Sequence, residues 1–383
     1  MSPGTPAGVY VHVPFCRKKC RYCDFYSIAD ISLTEDYLAA VTAEIGRSAE
    51  AGTLVDTVYV GGGTPSLLGP AGIGRILERV AAVFSVAPDA EVTIEVNPGA
   101  VSAGDVEGYA AAGVNRLSVG VQSFNDAALA FLGRIHTASQ AAETLNRARD
   151  AGIANLGLDL IYGLPDQRPE DWAADLSAAL SFAPEHISCY MLTVEPGTPL
   201  DVDRTMDRFS PLSDERTGAL FRQSRRTIRN GGYLHYEISN FSSTAATMSR
   251  HNRKYWSGAP YYGFGPSAHS FLPPIRRWNA ADVGRYIDAV STGAATVAGQ
   301  ERLTREQAMM EMVMLGLRQT AGIDINRFND VFGVDFHDQF SAVLPSMEDR
   351  GLVVVDQTGC RLTEEGMVVM DAVVARMVGD ICP

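Results

Sequence analysis

The chain has 383 residues, 46% of them hydrophobic and 20% charged; that length favours two or three domains, and that mixture favours a folded core over long disorder. Its 32 basic and 45 acidic residues leave a formal charge of −13, which argues against a nucleic-acid binder, whose contact surface is basic. The opening MSPGTPAG has no basic segment followed by an apolar core, and no apolar run of about eighteen residues occurs, so neither a secretory signal nor a membrane span is expected and the chain reads as cytoplasmic.

From residue 8 to about 230, short β-rich runs alternate with helical segments. GVYVHVPF (8–15) reads as a strand, with a helix near 34–50 after it. VDTVYVGGG (55–63) is a strand running into glycines, followed by a helix near 70–84. EVTIEVNP (91–98) and a helix near 102–112 come next, then VNRLSVGV (114–121) and a helix near 137–151. IANLGLDLIYG (153–163) precedes a helix near 169–181, and HISCYML (186–192) precedes one near 213–230. Such alternation implies a parallel sheet wrapped by helices, with right-handed crossovers and functional residues at the C-terminal ends of the strands. An open doubly wound sheet and a partial barrel both satisfy the pattern. SSTAATMS (242–249) reads as a loop, helical periodicity dominates from 300 on, and GLVVVDQTGCRLTEEG (351–366) reads as a hairpin turning at QTG.

Three of the six cysteines, Cys16, Cys20 and Cys23, fall within VPFCRKKCRYCDFYS (13–27). Cys189, Cys360 and Cys382 are scattered and read as small core or surface residues. A secreted disulfide framework is shorter and denser in cysteine. A structural zinc site takes four protein ligands, and His12, the nearest candidate, sits in a strand with its side chain opposite those of Val11 and Val13. An iron-sulfur cube held by three thiolates leaves one iron open to a small ligand, and a tight CxxxCxxC loop suits three corners of a cube. The other reading is a zinc loop with a distant fourth ligand such as Cys189 or His251. Lys18, Lys19 and the flanking arginines favour thiolate over thiol.

CxxxCxxC after the first strand and GGGTPS (61–66) after the second resemble the radical S-adenosylmethionine superfamily. That resemblance implies a partial or full (β/α) barrel, a 4Fe-4S cluster on Cys16, Cys20 and Cys23, and S-adenosylmethionine bound to the open iron. EVNPG (95–99), NRLSVGVQSF (115–124), LGRIH (132–136), DLIYGLP (159–165) and YEISNF (236–241) narrow it to the coproporphyrinogen dehydrogenase-like branch, over roughly residues 9–330. In that branch Tyr10, Tyr22, Gly62, Gly63, Thr64, Glu95, Gln122, Arg134 and Asp159 match positions that contact S-adenosylmethionine. Each alone has a plainer reading: Glu95 in an ion pair with Arg116 or Arg134, Asp159 capping the next loop, Gln122 satisfying barrel backbone groups.

The porphyrinogen-oxidising members carry CxxxCxxCxC, whereas here the position two beyond Cys23 is Phe25. CDFYS and HNRKYW (251–256) instead resemble the HemW-type heme chaperones. This implies heme as a third bound group, with His251 as its ligand or anchor, Tyr255 and Trp256 offering aromatic faces, and His269 as a second contact. Arg222, Arg225, Arg226 and Arg229 would share one helix face, either solvated and paired with local acids or docking an acidic partner or heme propionates. The expectation is therefore an α/β fold: a partial (β/α)6 barrel (1–235), a linking segment with HNxxYW (236–300) and a largely helical winged-helix-like domain (301–383). Its implied function is heme binding and transfer to an unidentified acceptor protein, with an electron donor as a further partner. The alternative is an oxygen-independent coproporphyrinogen III dehydrogenase acting by radical decarboxylation.

Overall fold

A computed structural model describes residues 5–48 and 51–381; Cys382 lies outside them. The strand–helix alternation becomes β1 (Ala7–Val13), α1 (Thr34–Gly46), β2 (Leu54–Gly62), α2 (Gly69–Val83), β3 (Ser85–Val96), α3 (Ala103–Ala111) and β4 (Arg116–Gln122). It continues through α4 (Asp126–Leu132), α5 (Ala138–Asp150), β5 (Asn155–Tyr162), α6 (Pro169–Ser181), β6 (His186–Met191), α7 (Pro199–Thr205) and α8 (Asp214–Asn230). Apolar residues alternate along the strands, and those under the helices, Val9, Val11, Val13, Leu117, Val119, Leu156 and Leu158, are all fully buried, while intervening positions such as Ser118 and Asp159 face the cavity. Helix starts follow local chemistry. Ser102 and Asp105 form a capping box on α3, Thr137 and Gln140 on α5, and Pro169 opens α6.

β1 to β6 pair in parallel, each with the next. The stretch 236–300, expected as a linking segment, adds to this same sheet. After β7 (Leu234–Glu237), β8 (Asn240–Ser242) and α9 (Arg250–Ser257) come β9 (Tyr261–Phe264), β10 (His269–Leu272), β11 (Ile275–Asn279), α10 (Val283–Thr292) and β12 (Val297–Arg302). The sheet order is β12-β11-β10-β9-β1-β2-β3-β4-β5-β6-β8-β7. β9 runs parallel to β1, while β10 to β12 and β7–β8 pair antiparallel at the two flanks. These strands are short and broken by glycine and proline, which hides them from a periodicity reading.

The rest of the chain is mainly helical: α11 (Arg305–Arg318), β13 (Ile323–Asp324), α12 (Ile325–Phe332), α13 (Phe336–Gln339), α14 (Leu344–Asp349), β14 (Val353–Val355), β15 (Gly359–Leu362), α15 (Glu364–Val368) and α16 (Met370–Ile381). The hairpin expected at 351–366 is β14–β15, its turn held by Asp356, which accepts from the backbone N–H groups of Thr358 and Gly359. Arg222 and Arg225 of α8 pair with Glu365 and Glu364, so half of the arginine face ties α8 to the C-terminal region. Cys189 and Cys360 are buried core residues. No helix among the described residues is long and apolar enough to cross a membrane.

Candidate cofactor site

The cysteine loop leaves β1 and is closed at its base. Phe15 bridges Ile28 in parallel, Cys16 N–H donates to Ile28 O (2.9 Å) and Ile28 N–H to Pro14 O (2.7 Å). His12 does not point a free nitrogen at the cysteines. Its Nε2 lies 2.8 Å from Tyr26 O, so that nitrogen carries the proton, and Nδ1 accepts from Tyr10 Oη at 3.0 Å. Arg21 pins the far side: its backbone N–H donates to Leu132 O, its guanidinium to Phe131 O, and it pairs with Asp203 on α7. Gly63 allows the second strand's turn to press against this loop, since a Cβ there would stand 2.6 Å from Phe15 O and 3.0 Å from Cys16 Sγ. Gly62 has φ +115°, a conformation for which glycine is suited.

Thr64 after β2, Asn97 after β3 and Arg134 after α4 supply one directional hydrogen-bond chain between two of the thiols. Arg134 donates to Cys20 Sγ (3.3 Å) and to Asn97 Oδ1 (2.5 Å); Asn97 Nδ2 donates to Thr64 Oγ1 (2.7 Å); Thr64 donates to Cys16 Sγ (3.5 Å). Donors aimed at sulfur suit thiolate ligands. The surrounding cations do less for Cys23 than expected: burial raises its thiol above the ordinary value, and the Phe25 backbone N–H and Lys19 offset only part of that. Asn97 was not singled out in the sequence. The signal was its place one residue past the end of β3, level with the other strand-end residues.

Below the loop lies a cavity of about 670 Å³. Cys16, Cys20, Cys23, Tyr22, Gly62, Gly63, Thr64, Glu95, Gln122, Arg134 and Asp159 all line it; Tyr10 and His251 do not. Glu95 accepts from Tyr59 Oη (2.8 Å) and from Gly62 N–H (3.0 Å), and burial pushes its carboxyl up to about 7. Asp159 accepts from Ser118 Oγ (3.1 Å), and burial raises it too. Gln122 holds φ +66° at the end of β4, a strained backbone of the kind retained at ligand sites. Arg116, named from the sequence only as an ion-pair partner for Glu95, is 2% exposed and lines the cavity, its Nε without a hydrogen-bond partner. Such a site offers soft sulfur donors at its mouth and carboxylate, amide and guanidinium groups within, fitting a sulfur-ligated metal group beside a small zwitterionic ligand.

The HNRKYW segment is α9, and it packs at the other end of the strands. His251 is 1% exposed. Its Nδ1 is 2.8 Å from Thr57 Oγ1 and its Nε2 2.8 Å from Tyr255 Oη, while its ring stacks on Tyr59 at 5.1 Å. Burial lowers its pKa to about 3. Both ring nitrogens of His251, the residue expected as heme ligand or anchor, are thus engaged within the fold, and its ring lies against Tyr59, which donates to Glu95. Trp256 packs on Tyr236 and under Arg318, and Tyr255 meets Tyr261 edge-on at 4.7 Å, both remaining partly exposed. His269 stacks on Trp278 on the β10–β11 flank and does not line the cavity. Glu91 accepts from the first N–H groups of α9, and Lys254 pairs with Asp56 at 2.6 Å. Of this motif Asn252 alone reaches the cavity.

Residues 10–179 match the family model of the Radical SAM superfamily, and residues 303–369 that of the HemN C-terminal domain. The chain is 38% identical over 336 residues to a protein named heme chaperone HemW from Synechocystis sp., covering 84% of this chain and 81% of that one. It is 33% identical over 377 residues to the protein of the same name from Bacillus subtilis, covering 97% and 99%. Among solved structures, coproporphyrinogen III oxidase (HemN) from Escherichia coli, described as a radical SAM enzyme, aligns with a TM-score of 0.83 at 25% identity, covering 98% of this chain and 90% of that one.

Proposed function

The chain belongs to the HemW-type family of the radical S-adenosylmethionine superfamily, and from that premise we propose that it is a heme chaperone, binding heme and passing it to an acceptor protein while carrying a 4Fe-4S cluster and S-adenosylmethionine. The observation that carries this reading is the meeting of three thiols from one loop with a cavity whose polar groups come from successive strand ends. Cys16, Cys20 and Cys23 would hold the cluster. Among the described residues no three His, Cys, Asp or Glu side chains converge on a point where one metal ion would sit, and the distant fourth ligands considered, Cys189 and His251, do not line the cavity. That arrangement favours a multi-iron group with one vertex left to a small molecule over a lone zinc.

Bound there, the cluster supplies one-electron chemistry to its open-vertex ligand. The chain's own residues do the binding and orienting. Glu95, ionised, would accept from the ligand's ammonium group, Gly62 and Gly63 leave room for close backbone approach, Arg134 would pair with a carboxylate, and Asp159 would accept from hydroxyls. A second reading, oxygen-independent coproporphyrinogen III dehydrogenase, draws on the near full-length likeness to the Escherichia coli oxidase. Phe25, standing where the oxidising pattern has a further cysteine, weighs against it.

The experiment is direct. Anaerobically reconstituted protein is titrated with heme and followed by absorbance, then mixed with an apo-hemoprotein, and separately incubated with coproporphyrinogen III, reductant and S-adenosylmethionine. A ligation-shifted Soret band that moves to the acceptor supports the chaperone. Porphyrinogen turnover without heme binding would replace it with the enzyme.

A further inference from the structure

Large apolar side chains scattered over a surface need no explanation, but several gathered around one opening mark a ligand seat. Phe25 is 70% exposed, Ile135 51% and Met191 51%, and all three line the mouth of the cofactor cavity. They arrive from three separate places: the cysteine loop, the turn after α4 and the end of β6. Within the cavity the strand ends supply Glu95, Asp159, Gln122 and Arg116, and the three exposed apolar side chains stand apart from these polar groups.

The same rim carries charge. Arg17 and Lys18 are exposed and line the mouth, and neither has an ion pair among the described residues. Asp24 and Glu195 share the lining. Unpaired neighbouring cations beside an apolar platform, on a chain of net charge −13, suit a flat apolar molecule with carboxylates along one edge. The HNRKYW helix, by contrast, has its histidine enclosed, with both ring nitrogens hydrogen-bonded.

Resting on the heme-chaperone reading, we propose that this rim is the seat of the heme: one face of the macrocycle lies on Phe25, Ile135 and Met191, and its propionate edge turns toward Arg17 and Lys18. Heme then covers the mouth of the cavity that holds the cluster and its small-molecule ligand. Occupancy of the cavity and of the rim are coupled by contact.

The test titrates reconstituted full-length protein with hemin and with hemin dimethyl ester, whose propionates are blocked. Iron and sulfide content and Tm are checked for every variant. Phe25→Ser combined with Met191→Gln should weaken both probes by about tenfold or more, since each side chain loses most of its buried apolar contact. Arg17→Glu combined with Lys18→Glu should weaken hemin and leave the ester unchanged. If Phe25→Ser disturbs the cluster, Ile135→Gln with Met191→Gln, neither on the cysteine loop, probes the same platform. Wild-type protein that binds hemin alongside rim variants that bind it equally well would overturn this inference and leave the chaperone reading standing. Wild-type protein that binds no hemin would bring down both. An ester that binds more tightly than hemin would show a general apolar seat and overturn the assignment.

Discussion

At the C-terminal ends of the parallel strands, polar side chains face each other across open space; at the other end, α9 packs against the strand starts, with His251 and Lys254 buried. Both regions carry motifs conspicuous in the sequence, a cysteine triplet and HNRKYW. At the cysteine end, Cys16 and Cys20 are linked by donors that leave sulfur lone pairs free, and Arg134 and Arg116 each keep a buried Nε without a partner. At the α9 end, His251 has both nitrogens paired and Lys254 has Asp56 and the carbonyl of Pro6. The contrast teaches that residue type alone does not separate a ligand from a support. The separation comes from whether the group's hydrogen-bonding capacity is already spent inside the fold.

The largest effect that would sharpen this contrast is at the cysteines. Cys16→Ser, Cys20→Ser or Cys23→Ser should each abolish stable cluster assembly, read as iron and acid-labile sulfide per chain, with the fold retained by circular dichroism. His251→Ala should do the reverse: a loss of about 3 kcal/mol in stability from two hydrogen bonds and a filled stacking site, with hemin binding per folded molecule unchanged. A stable variant lacking the Soret shift would erase the distinction between the two ends.

Glu95→Gln comes next, and its sign follows from its raised pKa. In the folded protein Glu95 holds its proton up to about pH 7, whereas an ordinary glutamate releases it near 4.5. The folded state therefore binds the extra proton between these values, and cofactor-free protein should lose stability as pH rises through that window, a slope absent in Glu95→Gln. Ligand binding runs the other way. Isothermal titration with S-adenosylmethionine should show affinity rising through about pH 7 as the carboxylate forms, and the Gln variant should bind about tenfold more weakly above it. Asn97→Ala, which cuts the chain from Arg134 to Thr64, should leave the cluster able to form but more readily lost to a chelator, with a stability change of about 1 kcal/mol. The smallest effect belongs to Arg222→Ala, which breaks an exposed ion pair and should barely move Tm.

The parallel core was legible because six short apolar strands and their helices are local patterns, and the cysteine triplet was legible because its ligands come from one loop. Asn97 escaped because its role depends on neighbours from elsewhere in the chain, Thr64 and Arg134. The surroundings of His251 were not legible because HNRKYW names a segment without saying which end of the strands it packs against; the Glu91 carboxylate that receives the first N–H groups of α9 fixes that, and it lies 160 residues away in sequence. β9 was hidden for the same reason: four residues, Tyr261–Phe264, find their partner only in β1.

That pairing has a consequence for the growing chain. β1 and the cysteine loop are made first, yet one flank of β1 is satisfied only when Tyr261–Phe264 have left the ribosome. Until then a strand of hydrophobic residues carries an open edge next to its reactive thiols. Iron delivery that waits for the second half of synthesis would meet a finished nest, and truncation before residue 261 should yield a sticky, oxidation-prone fragment.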